Sequence, residues 1–215
     1  MIAAVFDVDR TLVRGTSMES LFLRWLVRRG RIGPLRAARI GFGIAGHLPL
    51  YVRRGYLQYH GYLEGWSVEA VREWAAACFT ESIAPRVSSA GASRLTEHRA
   101  SGHLTVLLSG SISPLVRELN ARLGADLIIS SEPEAVAGVY TGRLFGDHFA
   151  GPNKARAVRD LAEARGLDLS ASFCYADHHS DLAMLDLFGH PVPVNANEGL
   201  RLAAAERGWQ VVAFD

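Results

Sequence analysis

The pattern of apolar and polar positions divides the chain into a first strand, a long helical segment and a region of alternating strands and helices. Residues 2–6 are a β-prone apolar run that predicts a buried strand. Between residues 14 and 83 the apolar positions recur at helical spacing, and no strand is predicted. Helices are predicted at residues 17–29, 35–48, 51–63, 68–79 and 85–99, with breaks at Gly30 and Pro49 and an N-cap at Ser67.

From residue 104 onward, short apolar runs alternate with helical stretches. Strands are predicted at residues 104–108, 127–129, 173–176, 192–194 and 210–214. Helices are predicted at residues 114–123, 154–165, 181–188 and 198–207, and residues 139–149 are predicted to form a hairpin or a loop. This alternation predicts an α/β fold with a doubly wound, Rossmann-like parallel sheet. The helical segment interrupts that fold, so we expect a discontinuous core of residues 1–13 and 85–215 and an all-helical insertion of residues 14–84.

Composition and charge narrow the class of protein. About half of the 215 residues are hydrophobic and 21% are charged, as in ordinary soluble globular proteins. No apolar run approaches the roughly 20 residues of a membrane span, and the N-terminus lacks the basic region of a signal peptide. Cys78 and Cys174 show no metal-ligand spacing, which favours reduced thiols in a cytoplasmic protein.

The charges are distributed unevenly. Residues 14–64 contain nine arginines and two acids, although the net charge of the whole chain is only +1. This segment either faces an anionic ligand or surface, or presents a solvated helix face. Lys154 is the single lysine among 23 basic residues, so its compact ammonium is a candidate functional group.

Polar side chains follow the predicted strands where those strands end. Because ligands of open α/β sheets bind beyond the carboxyl ends of the strands, these side chains are expected to converge at one edge. The candidates are Asp7, Asp9 and Thr11 after the first strand, Ser109-Gly110-Ser111 after the second, Asp177 and Asp181 after residues 173–176, and Lys154 at the start of a helix.

Such a cluster of carboxylates needs a neutralising cation, and Mg²⁺ suits oxygen ligands with an open position for phosphate. Asp7 is then a candidate nucleophile, because Mg²⁺ and Lys154 would screen the charge of the phosphate. Asp9 is a candidate general acid and base whose backbone carbonyl is available to the metal. Ser109 and the following N–H groups are candidate ligands of the phosphoryl oxygens.

These residues resemble the four motifs of the haloacid dehalogenase superfamily. Phe6-Asp7-Val8-Asp9-Arg10-Thr11-Leu12-Val13 is similar to the first motif, Ser109-Gly110-Ser111 to the second, Gly151-Pro152-Asn153-Lys154 to the third and Asp177-His178-His179-Ser180-Asp181 to the fourth. The helical insertion is similar to the cap of the phosphoserine phosphatase-like branch. The resemblance covers the whole chain and implies a magnesium-dependent phosphatase.

The resemblance also implies a role for each site residue. Asp7 would be nucleophile and metal ligand, Asp9 acid and base with its carbonyl on Mg²⁺, and Asp177 a metal ligand supported by Asp181. Thr11, Ser109, Gly110 and Lys154 would position the first loop and bind the phosphoryl group. The expected partner is a small phosphorylated metabolite and not a nucleic acid; a membrane surface is possible but not favoured, and the oligomeric state is open.

The sequence departs from true phosphoserine phosphatases in the insertion. Those enzymes carry a glutamate shortly after the first motif to read the substrate amine, whereas the nearest acid here is Glu19. Their carboxylate-reading arginine has no clear counterpart; its position falls near Tyr59, with Arg53 and Arg54 close by. The substrate is therefore left open.

Three other functions remain as alternatives. They are a phosphatase of a membrane lipid phosphate of the phosphatidylglycerophosphate kind, a phosphotransferase that uses the same intermediate, and a phosphate-binding module without turnover. His178 and His179 are either substrate contacts or structural residues. The remaining histidines are interpreted as surface or packing residues: His47, His60, His98, His103, His148 and His190. The large aromatic residues of the insertion are interpreted as its core, with one or two possible pocket residues among Trp25, Tyr51, Tyr56, Tyr59 and Trp66.

Overall fold

The computed structural model describes residues 1–54 and 60–214, without the side chains of residue 44 and of residues 47–54. Its centre is a six-stranded sheet in the order β4-β3-β2-β1-β5-β6. Each neighbouring pair is parallel except β3 and β4, which are antiparallel. The strands are β1 Ala3–Asp7, β2 Leu104–Ile112, β3 Leu127–Val136, β4 Val139–Phe145, β5 Phe173–Ala176 and β6 His190–Pro193. This sheet confirms the predicted doubly wound α/β fold.

Helices cover both faces of the sheet. They are α1 Met18–Arg28, α2 Pro34–Arg54, α3 Val68–Cys78, α4 Ser89–Ala100, α5 Ser113–Leu123, α6 Pro152–Arg165, α7 Leu182–Leu185 and α8 Glu198–Arg207. Alternate residues of a strand point to opposite faces. Phe6 accordingly packs with residues of α1, α3 and α5, and Val5 packs with residues of α6, α7 and α8.

Local capping explains where several helices begin and end. The Ser67 hydroxyl accepts a hydrogen bond from the backbone N–H of Ala70, which confirms the predicted N-cap of α3. Gly124 and Gly166 end α5 and α6 in the left-handed conformation, at φ values of 71° and 62°.

Several predicted helix boundaries are wrong. Helix α2 continues through residue 49, so the break at Pro49 and the separate helix at residues 51–63 are corrected. Gly61–Leu63 is a short 3₁₀ turn, and residues 55–59 lie outside the described part of the chain. Helix α4 begins at Ser89 and not at residue 85, because the Ser88 hydroxyl caps it by accepting from Gly91 N–H. The helix predicted at residues 181–188 is shorter, Leu182–Leu185, and follows a 3₁₀ turn.

The strands differ from prediction mainly at their ends. Strand β2 continues through Ser109-Gly110-Ser111 to Ile112, and β3 extends to Val136 because it pairs with β4. Residues 139–149 therefore begin as a strand, in a hairpin that turns through Ala137 and Gly138 at φ values of 50° and 77°. Residues 210–214 do not form the predicted strand and contribute one isolated bridge, between Val194 and Val212.

The helical segment after β1 packs directly onto one face of the sheet. Leu21 and Phe22 of α1 and Val71 of α3 share a continuous hydrophobic cluster with Leu115 of α5 and Ile112 of β2. The division into a core of residues 1–13 and 85–215 and an insertion of residues 14–84 stays a proposal. Among the described residues, no helix has the length and apolar character needed to cross a bilayer.

Candidate active site

The first strand delivers Asp7 to the carboxyl edge of the sheet. Asp7 is the last residue of β1 and is buried, with 3% of its surface exposed. The chain then turns tightly, because the N–H groups of Leu12 and Val13 both donate to the carbonyl of Val8. This turn brings the Thr11 hydroxyl back to Asp7, where it donates to Oδ2 at 3.1 Å. Thr11 therefore orients the Asp7 carboxylate.

The single lysine of the chain lies between two carboxylates. Lys154 stands in the first turn of α6, and its Nζ is 2.5 Å from Asp7 Oδ1 and 2.9 Å from Asp181 Oδ2. Burial alone would lower the pKa of Lys154, but Asp181 and Asp7 outweigh it and hold that pKa above its ordinary value. The ammonium is therefore permanently charged and fixed beside the candidate nucleophile.

Three buried carboxylates meet at this point. Oxygens of Asp7, Asp177 and Asp181 lie within 4.8 Å of one another. Burial and the nearby charge of Asp7 raise the pKa of Asp177 to about 8, and burial also raises the pKa of Asp181. Oδ1 of Asp181 is buried and has no hydrogen-bond partner among the described residues. Hard oxygen donors with an unsatisfied buried oxygen fit Mg²⁺, which would lower the cost of holding these charges together.

The Asp9 carboxylate is not part of this cluster of three and is held by a set of hydrogen-bond donors. Oδ2 accepts from the hydroxyls of Ser111 at 2.7 Å and Ser109 at 3.2 Å, and Oδ1 accepts from the N–H of Met18 at 2.7 Å. Burial and the charge of Asp7 raise the pKa of Asp9 to about 6, although these donors oppose the shift. A carboxyl group that titrates near neutral pH can both give and take a proton.

A second polar cluster lies on the side of the helical segment. The Tyr62 hydroxyl donates to Glu19 Oε1 at 2.5 Å, and His60 Nε2 is 3.6 Å from the same oxygen. Burial raises the pKa of Glu19, but His60 and Tyr62 outweigh it, and the net pKa is below the ordinary value. Glu19 is therefore an anion on this wall of the site.

His60 and His148 were interpreted from sequence as surface or packing residues, and the structure shows both buried with polar partners. His148 Nδ1 shares a hydrogen bond with Ser131 Oγ at 3.0 Å, and its ring centroid is 5.5 Å from that of His60. Burial and the neighbouring His60 lower the pKa of His148 to about 4, so it is neutral at physiological pH. These two rings join the helical segment to the loop before α6.

Residues of both clusters line one cavity of about 480 Å³. The three clustered carboxylates and Lys154 line it, and so do Ser17, Glu19 and His148. Gly110 also lines it, and an added Cβ there would be in tight contact with the carbonyl oxygen of Phe149, at 3.2 Å. The predicted convergence of site residues at the edge of the sheet is therefore found in the structure.

Among the residues at this cavity, Arg10 and His148 are not candidates from sequence, and Ser111 is a candidate without an assigned role. Ser111 bonds Asp9, Arg10 bonds Asp177 at 2.9 Å, and His148 lines the cavity. Ser111 and Arg10 lie inside the motifs that resemble the family, so their motif positions could have indicated a role. His148 had no such signal, because β4 and the following loop place it.

The two histidines of the fourth motif differ in position. His178 lines the cavity, and its Nδ1 is 2.9 Å from Ser180 Oγ. Burial and the adjacent His179 lower the pKa of His178 to about 4. His179 does not line the cavity, and its Nδ1 is hydrogen-bonded to Asn197 Nδ2 at 3.0 Å. The predicted pocket candidates Tyr56 and Tyr59, and the side chains of Tyr51, Arg53 and Arg54, lie outside the described residues.

Comparison with known proteins places this site in a family. The family described as haloacid dehalogenase-like hydrolase matches residues 4–186. A relative from Streptomyces azureus, "Inhibition of morphological differentiation protein", is 33% identical over 99% of this chain and 78% of its own length. "Phosphoserine phosphatase SerB1" of Mycobacterium tuberculosis is 34% identical over 99% of this chain and 70% of its own.

Solved structures share the fold over the whole chain. A protein of unknown function from Bordetella pertussis is 27% identical and superposes with a TM-score of 0.85, covering 99% of this chain and 98% of its own. A phosphoserine phosphatase solved as a phospho-aspartyl intermediate analogue is 15% identical, with a TM-score of 0.66 over 100% of this chain and 93% of its own. These matches confirm the predicted enzyme class, a phosphoric monoester hydrolase. The chain belongs to the haloacid dehalogenase-like hydrolase family, in its phosphoserine phosphatase-like branch.

Proposed function

We propose that this protein is a magnesium-dependent phosphatase that hydrolyses a small phosphomonoester through an aspartyl-phosphate on Asp7. The observation that carries this proposal is the contact of one buried ammonium, Lys154, with both Asp7 and Asp181 beside the buried carboxylate of Asp177. Asp7, Asp177 and the backbone carbonyl of Asp9 would hold Mg²⁺, with Asp181 supporting them. When bound, the ion supplies neutralisation of the phosphoryl charge.

The chain's own residues account for the two proton transfers. An Asp7 oxygen attacks phosphorus, and the bond from phosphorus to the leaving oxygen breaks while Asp9 gives that oxygen its proton. Asp9 then takes a proton from water, whose oxygen attacks the same phosphorus and releases Asp7 and inorganic phosphate. Lys154 holds the Asp7 carboxylate in one orientation, and Ser109 and Ser111 hold Asp9. An Asp9 pKa of about 6 suits both directions of transfer.

The substrate-selecting part of the site is proposed to be the helical cap, residues 14–84. Glu19 and Ser17 bring one carboxylate and one hydroxyl from this segment to the cavity. An anionic wall favours a leaving alcohol that is neutral or carries a cationic group. Relatives named phosphoserine phosphatase and, at 25% identity, "Histidinol-phosphatase" of Neisseria meningitidis support amino alcohol phosphates as the first compounds to test.

Turnover of a generic aryl phosphate with and without Mg²⁺ tests the reaction. We expect hydrolysis that EDTA abolishes and that the Asp7→Asn variant lacks, since an amide oxygen is a poor nucleophile. Full turnover by that variant would contradict the mechanism. Phosphate binding without turnover by the wild type would instead support a binding module. Faster release of the leaving group on addition of alcohols would support a phosphotransferase.

One observation favours a lipid phosphate as a second candidate substrate. Helix α2 contains no acidic residue, and it exposes 85% of Leu35 and 80% of Phe42. A basic, apolar helix face of this kind is typical of proteins that lie on anionic membranes. Co-sedimentation with liposomes, prepared with and without anionic lipid, tests this candidate. Binding only to the liposomes that contain anionic lipid would support it. No binding to either preparation would remove it.

A further inference from the structure

Arg10 holds an unusual backbone conformation at the candidate metal site. Its φ is 65°, in the left-handed region that favours glycine, and the described chain contains only two other non-glycine residues with positive φ, Ala137 and Asn195. The Arg10 N–H donates to the carbonyl of Val13 at 2.8 Å, so the turn itself imposes this conformation. An arginine is thus present where a glycine would be easier to accommodate, which indicates a role for the side chain.

The Arg10 side chain reaches one of the three clustered carboxylates. Its Nε donates to Asp177 Oδ2 at 2.9 Å, and the Asp177 side chain is 6% exposed while that of Arg10 is 50% exposed. Lys154 contacts the other two members of the cluster, Asp7 and Asp181. The two cations therefore approach the carboxylates from different ends, and Arg10 is the one with access to solvent.

The Arg10 guanidinium is half exposed and so can leave Asp177, and it acts in opposite ways on the two ligands of the site. It repels a divalent cation that binds the same carboxylate, and it attracts the phosphate dianion that binds next to that cation. Arg10 also lines the cavity that the phosphoryl group would enter. Replacing Arg10 with a neutral residue removes one positive charge from the site, and this holds for any charge state of the surrounding groups.

We propose that Arg10 is a positioning residue that couples the binding of Mg²⁺ to the binding of phosphate. Mg²⁺ on Asp177 would displace the Arg10 guanidinium from that carboxylate, and the released guanidinium would then pair with the phosphate, so each ligand increases the affinity for the other more than it would without Arg10. This inference rests on the proposed function for the presence of a Mg²⁺ site. The coupling is reciprocal, so either ligand can be titrated.

Calorimetric titration of the whole protein with Mg²⁺, with and without inorganic phosphate, tests the coupling. We expect Arg10→Gln to bind Mg²⁺ alone about fivefold more tightly than wild type, the size typical of one partly exposed charge pair. We also expect phosphate to improve Mg²⁺ affinity less in this variant than in wild type. Arg10→Lys, which keeps the charge, should resemble wild type in both respects.

Arg14→Gln is the matched control, because Arg14 lies on the same loop and its guanidinium contacts the carbonyl of Pro85 and not a carboxylate of the cluster. It should leave both affinities unchanged. Equal or weaker Mg²⁺ binding by a folded Arg10→Gln, or an unchanged effect of phosphate, would overturn the coupling while leaving the metal site in place. Absence of Mg²⁺ binding by wild type would overturn the coupling and the proposed metal site together. Circular dichroism establishes that each variant is folded.

Discussion

The Ser111 hydroxyl donates a hydrogen bond to Asp9 Oδ2 at 2.7 Å, and this bond joins the end of β2 to the loop after β1 across 102 residues of chain. The Ser109 hydroxyl donates to the same oxygen and accepts from the N–H of Ser111. The second motif therefore holds the candidate general acid and base as well as lying where phosphate would bind. Two hydroxyls on one carboxylate oxygen keep the Asp9 side chain in one orientation.

Ser111→Ala tests the role of this bond. The change removes a donor to a buried carboxylate, which raises the pKa of Asp9 further above about 6 and frees its side chain to rotate. Because the bond positions a proton donor and does not bind the substrate, we expect kcat to fall about tenfold with little change in KM. Steady-state kinetics on an aryl phosphate measure both constants.

Ser113→Ala is the matched control for that variant. Ser113 follows the same strand, and its hydroxyl is buried without a hydrogen-bond partner among the described residues. Removing it should leave kcat unchanged. A Ser111→Ala variant with wild-type kcat would show that the bond to Asp9 has no role in the reaction.

Lys154→Arg should abolish activity even though the charge is kept. The ammonium fits between Asp7 and Asp181 at 2.5 and 2.9 Å, and a planar guanidinium is too large for that space. We expect kcat to fall by about 10³-fold or more, since the candidate nucleophile loses its orientation. Lys154→Met should also lose about 3 kcal/mol of unfolding free energy in EDTA, because buried carboxylates are left without their partner.

Arg156→Gln serves as the control on the same helix, because Arg156 pairs with Asp147 in an exposed position. Its activity and stability should match wild type. Kinetics and denaturant titration measure the two effects. Substantial turnover by Lys154→Arg would contradict a fixed ammonium between the two carboxylates.

Stability should fall as pH rises from about 6.5 to about 8 when EDTA is present. The pKa of Asp177 is raised to about 8 in the folded protein, so over this range the folded state holds a proton that the unfolded state has released. Unfolding free energy therefore decreases with pH. His98, His148 and His178 have pKa values lowered to about 4, so they affect stability mainly below pH 6.5 and with the opposite slope.

Thermal denaturation across this pH range, in EDTA and in Mg²⁺, measures the effect. We expect the decrease to be smaller with Mg²⁺, which favours the ionised carboxylates. Asp177→Asn, which cannot ionise, should remove the decrease in EDTA. If stability decreased with pH by the same amount in Asp177→Asn, the decrease would come from the titration of another group.

Glu19→Gln should change which substrates are accepted more than it changes the reaction. Glu19 is an anion that lines the cavity, with its pKa held low by His60 and Tyr62 although burial opposes this. Replacing it with a neutral amide should reduce kcat/KM for phosphomonoesters with cationic leaving groups by about tenfold. Hydrolysis of an aryl phosphate should change by less than about threefold.

A panel of phosphorylated metabolites, assayed for phosphate release, makes this comparison. Glu64→Gln is the control, because Glu64 is exposed and pairs with Arg39. An unchanged ranking of the panel in Glu19→Gln would show that this wall does not select the leaving group.

The sequence alone determined the order of the elements and the chemistry at the ends of the strands. Parallel strands bring their carboxyl ends to one edge, so the residues that follow β1, β2 and β5 had to meet there. Asp7, Asp177 and Lys154 could therefore be named from local pattern and motif. The doubly wound parallel sheet followed from the alternation of strands and helices, whereas the order of its strands came from the structure.

Only the tertiary structure decided the contacts that join distant segments. No local pattern pairs Ser111 with Asp9, Arg10 with Asp177 or Tyr62 with Glu19, because these pairs depend on side-chain directions and loop paths set by packing. The full lengths of β2 and β3 could not be predicted for the same reason, because the ends of these strands are stabilised by pairing with strands elsewhere in the chain. Burial of His148 likewise depends on where the helical segment closes on the sheet, which no short stretch of sequence encodes.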